Sequence, residues 1–150
     1  MQDRGRWLDA KLGALRSGRV LDVGCGTGRH LRDRDVGIDL DAARVRLARE
    51  RSRLVAVADA HALPFPDAAF GTAYAIRMLN DAGGIDLVLA EIRRVLAPGG
   101  RLLVYTRARR GDGDRLDPEN GDARLRAHFR SVRPLADEDE PGGVLFVAER

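Results

Sequence analysis

The stretch Val20-Leu21-Asp22-Val23-Gly24-Cys25-Gly26-Thr27-Gly28 decides the fold of this chain. Its first four residues, three apolar and one acidic, predict a short buried strand. The three glycines at alternate positions predict a loop whose backbone a ligand can approach closely. A helix-compatible pattern resumes at Arg29, and the free N–H groups of a helix N-terminus favour a carboxylate or a phosphate. Together these features predict a nucleotide-type binding site.

The spacing of the glycines discriminates between ligand classes. A dinucleotide-binding fingerprint has the form G-x-G-x-x-G, in which the third glycine packs the helix onto the strand. Here the spacing is G-x-G-x-G, and Arg29 stands where that fingerprint needs its third glycine. A dehydrogenase is therefore the disfavoured alternative on this type of fold.

Four ordered segments resemble the motifs of class I S-adenosylmethionine-dependent methyltransferases. The glycine stretch is similar to the first motif of that family, and Val-Gly-Ile-Asp-Leu-Asp at residues 36–41 is similar to the second. Residues 58–70 resemble the third region, and residues 91–104 resemble the end of the fourth helix with the fifth strand. The order and spacing match from about residue 20 to residue 105.

Strands alternating with helices predict an α/β fold, in which a parallel sheet carries helices on both faces. The last two strands, joined by an acidic turn at residues 136–143, predict an antiparallel hairpin. The resemblance implies a Rossmann-like, doubly wound sheet of seven strands in the order 3-2-1-4-5-7-6, here with reduced helices. The predicted strands are 19–23, 36–39, 54–58, 70–76, 101–106, 131–135 and 144–148, and the predicted helices are 6–16, 27–32, 42–51, 85–96 and 122–128.

The length of 150 residues and the hydrophobic fraction of 44% predict a single domain with one continuous core. We expect an N-terminal helix in residues 1–18, a cofactor-binding core in residues 19–106 and a reduced substrate-side part in residues 107–150. The N-terminal residues lack the apolar stretch of a signal peptide, and no run approaches the ~20 apolar residues of a membrane span. We therefore expect a cytoplasmic protein.

The formal net charge is +3, and Lys11 is the only lysine, so arginine dominates the basic side chains. Arginine suits phosphate and nucleic acid, but an arginine bias is also typical of a GC-rich genome. The 23 interspersed acids leave a weak net field, which favours the second interpretation. Cys25 is the only cysteine, so it forms no internal disulfide, and we interpret it as a small packing residue.

The candidate cofactor site lies where the predicted strands end. A carboxylate at Asp39 can accept two hydrogen bonds from a ribose diol, while Asp41 is better placed to cap the next helix. The resemblance assigns the adenine amine to Asp59, a ring nitrogen to the Ala60 N–H group, and the methionine end to the glycine loop and Asp22. The predicted contacts to S-adenosyl-L-methionine, or to its product S-adenosyl-L-homocysteine, are Asp22, Gly24, Cys25, Gly26, Gly28, Asp39, Leu40, Asp59, Ala60 and Ile76, with Leu63 as a further apolar wall of the adenine.

The catalytic side chains are less clearly marked. We consider Arg77 and Asn80 as substrate contacts after the fourth strand, and His61 as a base facing the cleft. An arginine close to a sulfonium is unfavourable unless an anionic substrate or Asp81 offsets it, which suggests an acidic acceptor. The strand opens Phe-Gly at Gly71, where the resembled family has Phe-Asp. No histidine has metal-ligand spacing with another histidine or with the cysteine, so no metal is predicted.

Three functional hypotheses remain open from the sequence. The resemblance favours transfer of a methyl group to a small molecule, as in quinone-type enzymes. A second resemblance, to wobble-uridine tRNA methyltransferases, would use Trp7 and Tyr105 to stack bases. The third hypothesis is a non-catalytic module that binds S-adenosylmethionine or a partner, and a partner subunit or a homodimer could complete the site. The arginines that the tRNA hypothesis would use are Arg44, Arg46, Arg49, Arg51, Arg53, Arg107, Arg109 and Arg110.

Overall fold

The computed structural model describes residues 5–79, 83–108 and 114–150, and its centre is a seven-stranded sheet. The strands are β1 (Val20–Val23), β2 (Val36–Asp39), β3 (Val55–Val57), β4 (Phe70–Ile76), β5 (Leu96–Arg107), β6 (Ser131–Ala136) and β7 (Gly143–Glu149). The strand order is β3-β2-β1-β4-β5-β7-β6, which confirms the predicted order. Strands β1 to β5 pair in parallel, while β7 runs antiparallel to both β5 and β6.

Four helices flank the sheet in the described part of the chain: α1 (Arg6–Leu15), α2 (Ala42–Ala48), α3 (Ile85–Val95) and α4 (Gly121–Arg126). Side chains on successive strand residues point to opposite faces, so the packing partners show which face each helix covers. Helix α1 shares a buried cluster with Val20 and Leu103, whereas α3 shares one with Leu21 and Leu102. Helices therefore cover both faces of the sheet, as predicted.

The predicted helix at residues 27–32 is wrong. Turns replace it, with the Gly28 N–H group donating to the Cys25 carbonyl at 2.9 Å and the Leu31 N–H group to the Gly28 carbonyl at 3.1 Å. Only ten residues separate Gly28 from Asp39, and part of that length must return the chain to the start of β2. The glycine loop therefore leads into turns rather than into a helix N-terminus.

The start of the fifth strand is also corrected. The sequence predicts that Pro98-Gly99-Gly100 ends a helix before a strand that begins at residue 101. In the structure α3 ends at Val95 and β5 begins at Leu96, which pairs with Phe70. The Pro-Gly-Gly segment lies inside β5 as an irregularity, because the β4–β5 register shifts before the pairing of Thr72 with Arg101 resumes.

The glycine at position 71 has a steric reason. A Cβ atom added to Gly71 would lie 2.5 Å from the carbonyl oxygen of Ser17 and 3.1 Å from the Cα atom of Gly18. Both neighbours are backbone atoms of the turn that leads from α1 to β1, so they cannot rotate away. The acid of the resembled family is missing here because the approach of this turn leaves no room for a side chain.

We predict that Gly71→Asp lowers the thermal unfolding midpoint by more than about 5 °C, because overpacking costs about 1–3 kcal/mol and charge burial adds to that cost. Thermal unfolding of the ligand-free protein measures the effect. Ala56→Asp is the matched control, since it adds the same group at an exposed position of β3. Equal midpoints for wild type and Gly71→Asp would contradict the steric argument.

Candidate functional site

Two adjoining clefts lie beyond the carboxyl ends of the parallel strands. The strand order reverses between β1 and β4, and ligands of open α/β sheets bind at such a switch point. The larger cleft has a volume of about 410 Å³ and the smaller one about 270 Å³. Gly24, Ile76 and Arg77 line both clefts, so the two volumes meet at the ends of β1 and β4.

The clefts bring together nine of the ten residues predicted to bind the cofactor. Those lining the larger cleft are Gly24, Asp39, Leu40, Asp59, Ala60 and Ile76. Those lining the smaller cleft are Asp22, Gly24, Cys25, Gly26 and Ile76. Gly28 lines neither cleft. It packs closely against α2, since a Cβ atom added there would lie 3.1 Å from the Cα atom of Ala48. Leu63 is a buried core residue and does not line the larger cleft.

The glycine loop is held against the end of β2 by two backbone donors. The Cys25 N–H group donates to the Ile38 carbonyl at 2.8 Å, and the Gly26 N–H group donates to Asp39 Oδ2 at 2.9 Å. Gly24 has a φ of +71°, and a Cβ atom there would lie 2.7 Å from the Met78 side chain. Glycine is therefore required at this turn both by backbone conformation and by space.

Asp41 and Asp39 make different contacts in the structure. Asp41 caps α2, since its side chain accepts from the N–H groups of Ala43 and Arg44. Asp39 accepts from Gly26 on Oδ2 and from the Asp41 N–H group on Oδ1, each at 2.9 Å. A carboxylate offers about four acceptor positions, so Asp39 keeps capacity for two further donors at the edge of the larger cleft.

Asp22 is the most unusual acid in the site. Its exposed fraction is only 2%, and Oδ2 has no hydrogen-bond partner within the residues the structure describes. Burial, together with the negative charges of Asp35 and Asp39, raises the pKa of this carboxyl to about 8. An unpaired buried carboxylate costs free energy, and a cationic ligand group in the smaller cleft would remove that cost. The site therefore fits the ammonium group of a bound amino acid moiety.

Asp59 lies two residues beyond the end of β3, where it is held by His61. Asp59 Oδ1 accepts from the backbone N–H group of His61 at 2.9 Å and lies 2.6 Å from its Nδ1 atom. His61 Nε2 lies 2.8 Å from the carbonyl oxygen of Gly83. Because both partners are acceptors, both ring nitrogens must donate, and the hydrogen bond to Asp59 raises the pKa of His61. The imidazole has no lone pair left for a substrate proton, which argues against His61 as the base.

Arg77 is paired with an acid that sequence reasoning missed. Its guanidinium lies 3.1 Å from Glu140 Oε2 and 5.5 Å from the ring centre of Tyr105, while Arg107 lies 2.6 Å from Glu140 Oε1. Arg77 also has a φ of +60°, which is uncommon for a residue other than glycine and turns the chain at the end of β4. Glu140 therefore offsets part of the positive charge that Arg77 and Arg107 bring to this end of the sheet.

The acidic turn between β6 and β7 thus belongs to the smaller cleft. Asp137 and Glu140 both line it, and Tyr105 donates its hydroxyl group to Asp137. The turn reaches the site because Gly143, at the start of β7, pairs with Arg107 at the carboxyl end of β5. The signal available in the sequence was the concentration of acids at residues 137–140 in a hairpin expected beside β5.

Among the remaining candidate residues, one is buried and four lie outside the described part of the chain. Cys25 is buried, and burial raises the pKa of its thiol to about 12, as expected for a packing residue. Asn80, Asp81, Arg109 and Arg110 lie outside the residues that the structure describes. Within the described ranges, no cluster of three or more His, Cys, Asp or Glu side chains could hold a metal, and no helix is long and apolar enough to cross a membrane.

The strand order and the site at the β1–β4 switch point define a class I methyltransferase fold. A family model described as "Methyltransferase domain" matches residues 21–104, which is more than half of the chain. The chain therefore belongs to this family of S-adenosylmethionine-dependent methyltransferases.

The individual similarities are distant and partial. The chain is 33% identical over 115 residues to a sterol 4-C-methyltransferase of Caenorhabditis elegans, covering 67% of this chain and 34% of that protein. It is 33% identical over 119 residues to a "probable tRNA methyltransferase 9B" of Mus musculus, covering 75% and 26%. A Thermotoga maritima structure titled a possible histamine N-methyltransferase superposes with a TM-score of 0.78 at 20% identity, covering 95% and 86%. The chain thus spans about a third or less of these two curated relatives.

Proposed function

We propose that this protein transfers a methyl group from S-adenosylmethionine to a small molecule. The observation that carries the proposal is the buried carboxyl group of Asp22, which lines the smaller cleft beside the glycine loop and whose Oδ2 has no partner among the described residues. A cationic ligand group would favour the ionised form of this carboxyl, whereas the phosphate that a dinucleotide places near such a loop would not. The family membership supports the same donor.

The residues of the larger cleft would hold the adenosyl part of the donor. Asp39 would accept hydrogen bonds from the ribose hydroxyl groups, and Asp59, fixed by His61, would accept one from the adenine amine. Leu40 is 69% exposed in the ligand-free protein, and it would be buried by contact with the adenine ring. Asp22 would bind the ammonium group, with the glycine loop beside the carboxylate. The bound donor supplies a methyl group already activated by its sulfonium.

The smaller cleft supports a small acceptor. Its volume of about 270 Å³ must hold the amino acid end of the donor beside Asp22 as well as the acceptor, so it leaves room only for a small acceptor group. Glu140 offsets part of the charge of Arg77 and Arg107, so a neutral acceptor is compatible with the cleft. Holding two reactants aligned in such a cleft can lower the activation free energy by about 7–11 kcal/mol.

The tRNA hypothesis has weaker support from the described residues. Trp7 and Tyr105 are 9% and 1% exposed, so neither can stack on a base in this conformation. Arg107 is paired with Glu140. Arg49, Arg51 and Arg53 lie between α2 and the start of β3, at the end of the sheet opposite the clefts. The similarity to a protein named as a tRNA methyltransferase is the observation in favour of this second candidate.

A cytoplasmic location and a partner subunit that completes the site stay predictions.

Calorimetry with two ligands tests the donor class. We expect S-adenosylhomocysteine to bind and NAD to show no heat above dilution. The reason is that Arg29 stands where a dinucleotide fingerprint needs its third glycine. Binding of NAD without binding of S-adenosylhomocysteine would overturn the proposal.

Transfer of a labelled methyl group then separates the acceptor classes. Label recovered in a metabolite extract and not in bulk tRNA supports the proposal. Label in tRNA alone would select the second candidate, and binding without transfer to either would select a non-catalytic module.

A further inference from the structure

His30 lies in the smaller cleft, on the turn that follows the glycine loop. Its side chain is 14% exposed and lines this cleft together with Asp22, Ile76 and Tyr105. Because Ile76 lines both clefts, the cleft that His30 lines adjoins the one proposed for the adenosyl group. Sequence reasoning did not select it, because the predicted helix at residues 27–32 gave no reason to place it in the site.

The N-terminal helix orients this histidine. His30 Nδ1 lies 3.1 Å from Oδ1 of Asp9, which belongs to α1. An ionised carboxylate only accepts hydrogen bonds, so Nδ1 carries the proton and Nε2 of the neutral ring keeps its lone pair. Within residues 5–79, 83–108 and 114–150, no partner of Nε2 is found. Asp9 therefore fixes the tautomer that a histidine needs to act as a general base.

Burial is the main factor that favours the neutral form of the ring. Burial lowers the pKa of His30, Asp9 raises it, and the positive charges of Arg29 and Arg77 lower it further, with the net result below the usual value. The acids that share the cleft are Asp22, Asp137 and Glu140, of which Glu140 is paired with Arg77 and Arg107. A neutral imidazole at neutral pH is the form that can accept a proton.

We propose that His30, oriented by Asp9, is the general base that accepts the proton of the methyl acceptor. This inference rests on the proposed methyl transfer and names the acceptor class, which is a hydroxyl or amine group that still carries its proton at neutral pH. The acceptor O–C or N–C bond forms as the donor C–S bond breaks, with the electron pair remaining on sulfur to give the thioether product. The acceptor proton passes to Nε2, and the imidazolium that results is stabilised by the carboxylate of Asp9.

Nitrogen-15 NMR of labelled histidine tests the state of the ring without any acceptor. The chain has only three histidines, so the signals can be assigned by substitution. We expect the His30 proton on Nδ1 at neutral pH and a titration midpoint below about 6.5. Asp9→Asn removes the fixed acceptor, so the Nδ1-protonated form loses its dominance. A proton on Nε2 in the wild-type protein at neutral pH would overturn the inference.

Kinetics with a panel of phenols, amines and carboxylic acids test the role. His30→Asn keeps an N–H donor where Nδ1 stands and removes Nε2, so the link to α1 can persist without the base. We expect its transfer rate to phenols or amines to fall at least about a hundredfold, with affinity for S-adenosylhomocysteine changed less than twofold. The acid limb of the wild-type pH profile should disappear in the variant. His128→Asn is the matched control, since His128 pairs with Asp86 at 2.9 Å and neither residue lines a cleft.

Two outcomes would reject the base and leave the proposed function standing. They are transfer confined to carboxylic acids, and an unchanged rate and pH profile in His30→Asn. Failure of the wild-type protein to bind S-adenosylhomocysteine would instead reject the proposed function itself.

Discussion

Asp39→Ala will weaken the binding of S-adenosylhomocysteine by at least about a hundredfold. In the proposed complex this carboxylate accepts two hydrogen bonds from the ribose, and charge-assisted bonds contribute about 1.5–3 kcal/mol each. Each tenfold change in affinity corresponds to about 1.4 kcal/mol, so two bonds give a hundredfold effect or more. The substitution also releases the Gly26 N–H group that positions the glycine loop. Calorimetric titration of both proteins measures the change.

Asp41→Ala is the control for this prediction. Asp41 is two residues away and caps α2, but it does not line the larger cleft. Its removal should cost about 1 kcal/mol of stability and leave the affinity nearly unchanged. If Asp39→Ala bound the ligand as tightly as the wild type, the ribose role of Asp39 would be wrong.

Asp22→Asn will stabilise the ligand-free protein at pH 8 while weakening the binding of the donor. The folded pKa of Asp22 is about 8, against an ordinary value of 3.8, so the folded state holds this proton more tightly than the unfolded state. Stability is therefore lost as the pH rises from about 4 towards 8. Asparagine has no such proton, and each pKa unit is worth about 1.4 kcal/mol, so we expect the variant to gain at least about 2 kcal/mol at pH 8.

The affinity for the ligand should depend on pH in the opposite direction to the stability of the ligand-free protein. The ammonium group of the ligand would favour the ionised carboxylate, so wild-type affinity for S-adenosylhomocysteine should rise between about pH 6 and pH 8, by at most tenfold per unit. The Asp22→Asn affinity should be lower and nearly independent of pH over that range. Unfolding in urea and calorimetry at the same pH values measure the two arms. A variant that binds as well as the wild type at pH 8 would exclude the ammonium contact.

The sheet could be predicted from the sequence because its signals are local. The buried stripe of α3 at Ile85, Val88 and Ile92 has the period of a helix, and β4 has the predicted bounds. Asp39 and Asp59 fall at strand ends, and parallel strands bring their carboxyl ends to one edge. The residues after Gly28 are compatible with a helix. That pattern could not show that the segment between Gly28 and Asp39 is too short to form a helix and also lead back to the start of β2.

The acceptor side could not be predicted because it depends on long-range contacts. Glu140 meets Arg77 across 63 residues, and His30 meets Asp9 only because α1 packs beside the glycine loop. Nothing in the spacing of these residues indicates that they share a cleft. Likewise, the fit of Gly71 against the backbone of Ser17 depends on the approach of two segments that are 54 residues apart, so the sequence shows only that an acid is missing.

The most direct test of the account is a crystal structure of the protein with S-adenosylhomocysteine. We predict that the ribose lies on Asp39, that the adenine lies beside Leu40 and Asp59, and that the ammonium group meets Asp22. The sulfur atom should then face the smaller cleft at Ile76. Ligand density elsewhere on the protein, or both clefts empty at saturating ligand, would contradict the central claim.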